Sequence, residues 1–258
     1  MTVLSVNLNK IALLRNSRQG NYPSLMTFAR LAVECGAKSL TVHPRPDQRH
    51  ICVTDVSTLA DYVRIIQQRI EFNIEGNPFS TTQKGHGALS DYPGLMSLIA
   101  TARPDQATLV PDTSDQLTSD HGFDLTKDGE RLKPILNQLR AWKVRSSLFM
   151  DPDLKQIELA KKVGADRIEL YTGPYALAFK TSPSEASRSL ARYREAAEFA
   201  QSIGLGVNAG HDLNLDNLPS FLSIGGIAEV SIGHALTVDA LLSGYKQAVL
   251  DYSNCCKG

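Results

Sequence analysis

Eight short apolar runs, each four to six residues long, recur along this chain, and a longer stretch of helical period follows each of them. A short strand followed by a helix is the unit of a parallel sheet, because a parallel return needs a crossover, and an even number of such units suits closure into a barrel. The predicted strands lie near Leu4–Asn7, Ser39–His43, Ile70–Glu75, Ala107–Val110, Ser146–Met150, Arg167–Tyr171, Leu205–Asn208 and Glu229–Gly233. A chain of 258 residues matches the roughly 250 that one α/β barrel requires. The expectation is therefore α/β, a single (β/α)8 TIM barrel spanning residues 1–258 as one domain.

The helices between the runs carry their own punctuation. Ser182-Pro183-Ser184-Glu185 offers an N-cap, a proline at the first helical position and a capping-box acid. Gly36, Gly164 and Gly204 each follow an amphipathic stretch and precede a strand, as a glycine that ends a helix does. Two stretches break the rhythm: Gly76 to Pro93, rich in Gly, Ser, Thr and Pro, and Asp112 to Gly129, polar and acidic. Both follow strand ends, where barrels grow active-site loops, so extended loops after strands 3 and 4 are expected, as a lid or an insertion.

Composition narrows the function. With 27 basic and 27 acidic residues there is no global field to attract nucleic acid or an anionic membrane, so any anion site is local. No basic-apolar leader opens the sequence and no run approaches the ~18 apolar residues of a membrane span, which points to a cytoplasmic location. The four cysteines, Cys35, Cys52, Cys255 and Cys256, show no C-x-x-C spacing and are read as reduced thiols.

Side chains at the carboxyl ends of barrel strands converge on one mouth. Here that set is Asn7, His43, Arg45, Glu75, Thr172, Asn208, His211 and His234. Any one of them could merely cap a neighbouring backbone group; together they make a site. The His43 imidazole exchanges protons near neutral pH, and burial at its strand end would raise the pKa of Glu75 and fit it for acid/base work. A salt bridge from Glu75 to Arg45 or Arg18 is the alternative reading. Asn208-Ala-Gly-His211 and Ile232-Gly-His-Ala235 set glycines after strands seven and eight, where barrels hold phosphate on backbone amides and a helix N-terminus. Neither H-x-H nor H-E-x-x-H occurs, so no metal is expected, and no G-x-G-x-x-G or P-loop motif supports a nucleotide cofactor.

Read as strings, Val6-Asn-Leu-Asn-Lys-Ile-Ala-Leu-Leu-Arg-Asn-Ser-Arg18, Thr41-Val-His-Pro-Arg-Pro-Asp-Gln-Arg-His-Ile51, Phe72-Asn-Ile-Glu75, Leu109-Val-Pro111, Asn208-Ala-Gly-His211 and Ile232-Gly-His-Ala235 resemble the pyridoxine 5'-phosphate synthase family nearly end to end. The resemblance implies condensation of 3-amino-2-oxopropyl phosphate with 1-deoxy-D-xylulose 5-phosphate, giving pyridoxine 5'-phosphate, phosphate and water, without cofactor or metal. It makes His43 and Glu75 proton acceptors and His211 the proton donor. It assigns the amino-ketone phosphate to Asn7, Arg18, Gly233 and His234, with Asp212 where the family usually has glycine. The sugar phosphate falls to Arg45, His50 and Thr118, and the implied assembly is a homo-octamer.

Departures from the family pattern bear on the substrate. Where the family reads Asn-x-Asp-His, this chain reads Asn7-Leu-Asn9-Lys10. A carboxylate and an imidazole are exchanged for an amide and a cation able to grip phosphate. Asp212 adds negative charge beside the phosphate loop, to be offset by Lys10 or an arginine. Two other functions stay open: a divergent relative acting on another phosphorylated ketone or amine, and a non-catalytic barrel that binds a phosphorylated metabolite.

Overall fold

The computed structural model describes residues 1–87, 89–113 and 115–257. Its strands are β1 (Val3–Asn7), β2 (Ser39–Val42), β3 (Glu71–Gly76), β4 (Gln106–Leu109), β5 (Arg145–Met150), β6 (Arg167–Tyr171), β7 (Gly206–Gly210) and β8 (Ile227–Ile232). Each pairs in parallel with the next and β8 closes on β1. Expected and observed strands agree within two residues at every end.

Eleven helices among the described residues cover the barrel. They are α1 (Asn9–Asn16), α2 (Leu25–Glu34), α3 (Val53–Ile65), α4 (Leu95–Ala102), α5 (Leu125–Ala141) and α6 (Leu154–Val163) in the first part of the chain. The later ones are α7 (Gly173–Thr181), α8 (Pro183–Ser202), α9 (Leu218–Leu222), α10 (His234–Ser243) and α11 (Tyr245–Cys255). None is long and apolar enough to cross a membrane. Ser182 caps α8 by accepting the Glu185 N–H at 3.2 Å, but its own N–H goes to Ala178, so only half of the expected capping box forms. Gly164 ends α6 at φ +99°, a left-handed conformation that costs glycine nothing.

The strands are not the uniformly apolar runs that the sequence pattern suggested. They alternate: Leu4, Val6, Leu40, Val42, Phe72, Ile74, Ile168 and Leu170 face outward into the sheet–helix core, while Ser5, Thr41, Asn73 and Glu169 face inward. Each fully buried outward side chain contributes about 1.5–3 kcal/mol through lost apolar surface, so this outer layer holds the barrel to its helices. The inner layer is held by hydrogen bonds instead. Ser5 meets Thr41 at 2.6 Å and Ser39 at 3.0 Å, Asn73 donates to Thr41 at 3.2 Å, and Thr108 donates to Asn73 at 3.1 Å. Barrels are ordinarily filled by Val, Ile and Leu; this one is lined by polar groups that mostly satisfy each other, with Ser147 Oγ of β5 buried without a partner among the described residues.

Both expected long loops are present, with one boundary corrected. After β3, the chain folds back on itself through an antiparallel bridge between Gln83 and Tyr92, and Tyr92, 1 % exposed, anchors the excursion with its hydroxyl 3.1 Å from Ser80 Oγ. After β4 the loop is shorter than 112–129, because Asp124 caps a helix that begins at Leu125. Gly129 lies inside α5, buried against Val163.

Candidate active site

Strands β2 and β3 run in register, with Val42 opposite Ile74, so the residues that follow, His43 and Glu75, leave the barrel side by side. His43 Nδ1 lies 3.8 Å from Glu75 Oε2, and His43 Nε2 lies 3.9 Å from Asp112 Oδ2. The ring thus stands between two buried acids, just beyond direct hydrogen-bond reach of each. Two asparagines fix the pair. Asn7 donates to Glu75 Oε2 at 3.3 Å and accepts the Asn9 N–H at 3.0 Å, and Asn9 Oδ1 accepts the His43 N–H at 2.9 Å.

Burial decides how these groups titrate. Glu75, 8 % exposed, is pushed up to about 8, first by desolvation and then by the charges of Asp112 and Glu229, against the pull of Arg45. His43 is driven well below its usual range by burial and by Arg45, His50 and Arg49. Near neutral pH the site therefore holds a neutral imidazole beside a carboxyl that still carries its proton. Glu169, deeper in the barrel and reached by Thr108 at 3.4 Å, is also pushed up by burial and by Glu75.

His211 stands at the end of β7 with φ +90°, and Asp212 follows at φ +58°. That left-handed stretch suits glycine and, next best, asparagine or aspartate. The Asp212 carboxylate can only accept, so the His211 Nδ1–H points to it across 3.2 Å. Nε2 lies 2.8 Å from the Thr118 hydroxyl, which can donate or accept and so tolerates either state of the ring. Thr118 belongs to the loop after β4, which therefore reaches over the mouth to the β7 end. Tyr171 packs edge-on against His211, ring centroids 5.3 Å apart.

The mouth encloses a cavity of about 330 Å³. It brings together His43, Glu75 and His211, the expected proton-transfer set, with Asn7, Asn9 and Lys10 from β1 and α1. Arg45, His50 and Thr118 line the same space, as do Asp212, Gly233 and His234. At Gly233 an added Cβ would come within 3.0 Å of Asn7 Cβ, so only glycine lets α10 start this close to β1. The N-terminus of α10 has no side-chain cap, and uncapped first amides at the positive end of a helix dipole favour an anion. His50 accepts the Ile51 N–H on Nδ1 at 2.9 Å, and burial and Arg45 lower it to about 3, so its proton sits on Nε2.

Five expectations need correction. Asn208 donates to Gln106 and accepts from Arg167 inside the barrel, and Thr172 donates to the Gly210 and His211 carbonyls, so neither lines the cavity. Arg18 is exposed beyond the end of α1 and does not line the cavity. The inward arginine of that stretch is Arg15, which pairs with Asp55 at 2.6 Å and donates to the His50 carbonyl at 3.1 Å, bracing the loop after β2. Arg45 does not bridge to Glu75; it pairs with Asp112 and donates to the Gln116 carbonyl at 3.2 Å. Asp212 is offset by His211, His234 and Lys180, which hold it below the usual carboxylate range, rather than by Lys10 or an arginine. Sequence reading also missed Asp112, Ser119 and Glu169. The two-residue alternation of Ile168-Glu169-Leu170 was the available signal for the last.

Comparison with known proteins gives this mouth a lineage. Residues 4–258 match the model of the family described as pyridoxal phosphate biosynthesis protein PdxJ. The chain belongs to the PdxJ family. A pyridoxine 5'-phosphate synthase of Xanthomonas campestris pv. campestris is 50% identical over 252 residues, covering 97% of this chain and 94% of the relative. The pyridoxine 5'-phosphate synthase of Albidiferax ferrireducens is 49% identical over 255 residues, covering 98% and 97%. Among solved structures, KGPDC from Streptococcus mutans superposes with a TM-score of 0.61 at 13% identity, covering 100% of this chain and 98% of that one. At that identity the likeness is one of fold. The match to the two synthases, by contrast, runs over 94% and 97% of their lengths at an identity near one half. No three His, Cys, Asp or Glu side chains among the described residues are arranged to hold a metal ion.

Proposed function

We propose that this PdxJ family member is a pyridoxine 5'-phosphate synthase, joining 3-amino-2-oxopropyl phosphate to 1-deoxy-D-xylulose 5-phosphate with release of phosphate and water. The observation that carries this reading is the convergence of His43, Glu75 and His211 on one 330 Å³ cavity in a chain of that family. Ring formation needs protons moved in both directions: amine and ketone condense, water leaves more than once, and phosphate is eliminated. Glu75 and His43 form one proton-handling wall, and a carboxyl at about 8 is matched to work near neutral pH. His211, with Asp212 on one ring nitrogen and Thr118 on the other, is the donor on the facing wall. Arg45, His50 and Lys10 suit one phosphate; Gly233, His234 and the α10 N-terminus suit the other.

A divergent relative is the second reading, favoured by Asn9, Lys10 and Asp212 together. Incubating the purified protein with the two substrates and following pyridoxine 5'-phosphate and inorganic phosphate decides between them. Turnover supports the synthase; folded protein without turnover overturns it and favours the relative. Exposed apolar side chains on two packed helices, Leu13 and Leu14 of α1 and Val238, Leu241 and Leu242 of α10, support a homo-oligomer, read as the family's octamer. Light scattering that gives a monomer would remove that reading. A cytoplasmic location accords with the four free cysteines.

A further inference from the structure

Asp112 takes no part in the steps above, yet it touches both the proton-handling wall and the cationic one. It leaves the end of β4 behind Pro111 and is 5 % exposed. Its Oδ2 accepts from Arg45 Nη2 and, at 2.8 Å, from Ser119 Oγ, and the same oxygen lies 3.9 Å from His43 Nε2. Oδ1 is buried with no hydrogen-bond partner among the described residues. An orphaned carboxylate oxygen in a buried site is costly, so a turn that gives this carboxylate a further donor lowers its energy.

We infer that Asp112 is a positioning residue that occupies Arg45 until a substrate phosphate arrives and then turns its carboxylate onto His43 Nε2, making phosphate binding the event that activates the base. This rests on the reading of Arg45 as a phosphate ligand. A phosphate on Arg45 competes with Asp112 for the same guanidinium and repels it. Closing 3.9 Å to a hydrogen bond of about 2.9 Å takes roughly an ångström of carboxylate movement. A carboxylate on Nε2–H favours the protonated ring.

The groups that face His43 explain why such a device is needed. Arg45, Arg49 and His50 from its own loop all oppose protonation. Lys10 of α1 acts in the same sense on His50, while Asp47 opposes it. Glu75 from β3, which keeps its proton, offers little compensation, leaving Asp112, raised by burial but drawn back by Arg45 and the Ser119 hydroxyl, as the acid able to favour a charged ring.

The test follows the His43 ring by NMR through a pH titration of the full chain, with its signal assigned from His43→Asn. Inorganic phosphate at saturation is expected to raise the His43 midpoint by about one pH unit, a tenfold gain in basicity. In Asp112→Asn the rise is expected to fall to less than half. Ser119→Ala, which keeps the carboxylate and frees one of its ties, is expected to enlarge it. No rise in the wild type, or an equal rise in Asp112→Asn, overturns the inference, and an unchanged rise in Ser119→Ala overturns it should Asp112→Asn fail to fold. In turnover, Asp112→Asn lowers kcat while KM for the sugar phosphate holds or falls, since Arg45 has lost its competing anion; a raised KM at unchanged kcat overturns the inference too. The titration needs no turnover. A phosphate-dependent rise in an inactive protein leaves this inference standing and removes the synthase reading, and turnover without the rise does the reverse.

Discussion

Two ends of one barrel handle the same side chain in opposite ways. At the floor, Glu71 pairs with Arg145, whose guanidinium also meets Gln106, and Arg167 reaches Asn208 at 2.9 Å. Arg145 holds Glu71 below the usual carboxylate range in spite of burial. At the mouth, Glu75 has an amide and a neutral imidazole for company, and Arg45, the cation that pulls on it, is taken by Asp112. Burial then wins and pushes it up to about 8. The two differ in whether an arginine is bound to the carboxylate: Glu71 holds Arg145 and Glu75 holds none, while Glu229, near Arg145 and Arg167 but raised by burial, shows that proximity alone does not suffice.

That contrast can be broken most sharply by making one substitution at both ends. Glu75→Gln is expected to lower kcat about a thousandfold, the middle of the range for a general acid or base, with substrate binding within about tenfold. Glu71→Gln should leave turnover nearly intact, and steady-state kinetics on both variants would expose the contrast as false if the two losses were alike. The next largest effect is on stability. Glu75 keeps its proton in the fold between its ordinary 4.5 and about 8. The wild type therefore carries no penalty below 4.5, a growing one as pH rises, and the full one above about 8. Urea melts at pH 8 should find Glu75→Gln more stable than wild type by roughly 2–4 kcal/mol, with the gap closing by pH 5.

Glu71→Gln should have the opposite sign, a loss of about 1–2 kcal/mol in the same melts, because Arg145 is left without its charged partner. The folded pKa of Glu71 is lowered, so its contribution is present above its ordinary 4.5 and lost as the pH falls through the folded value. The smallest effect belongs to Asp212→Gly. Its carboxylate is 47% exposed, so the tie to His211 is worth about 0.5–1 kcal/mol, or roughly two- to fivefold in kcat. A larger fall would make Asp212 part of the chemistry rather than a support for His211.

Much of this is legible in the amino-acid sequence alone. The rhythm of runs fixed the number of strands and nearly their ends, because a parallel barrel repeats one local unit whose turn and cap residues are local too. His43, Glu75 and His211 could be found because they close strands. Asp112 could not, since its partners come from the loop after β2 and from its own loop, and nothing local to Val110-Pro111-Asp112 announces them. Glu169 and Glu229 were hidden by treating strands as blocks rather than as two faces. Arg15 and Arg18 look alike in a basic stretch, but Arg15 lies three and four residues after Ala12 and Ile11, on the buried face of α1. Helical spacing separates them once the face is considered.

The polar lining of the barrel also governs how this molecule answers to temperature. Unfolding wets the apolar layer between sheet and helices, which raises heat capacity, and wets Ser5, Thr41, Asn73, Gln106 and Asn208, whose polar surface lowers it by about 0.26 cal/mol/K per Å². The two contributions partly cancel. A barrel of equal length filled with valine and leucine has a steeper dome of stability against temperature, whereas this one has a broader dome, and cooling weakens its interior less than its exterior.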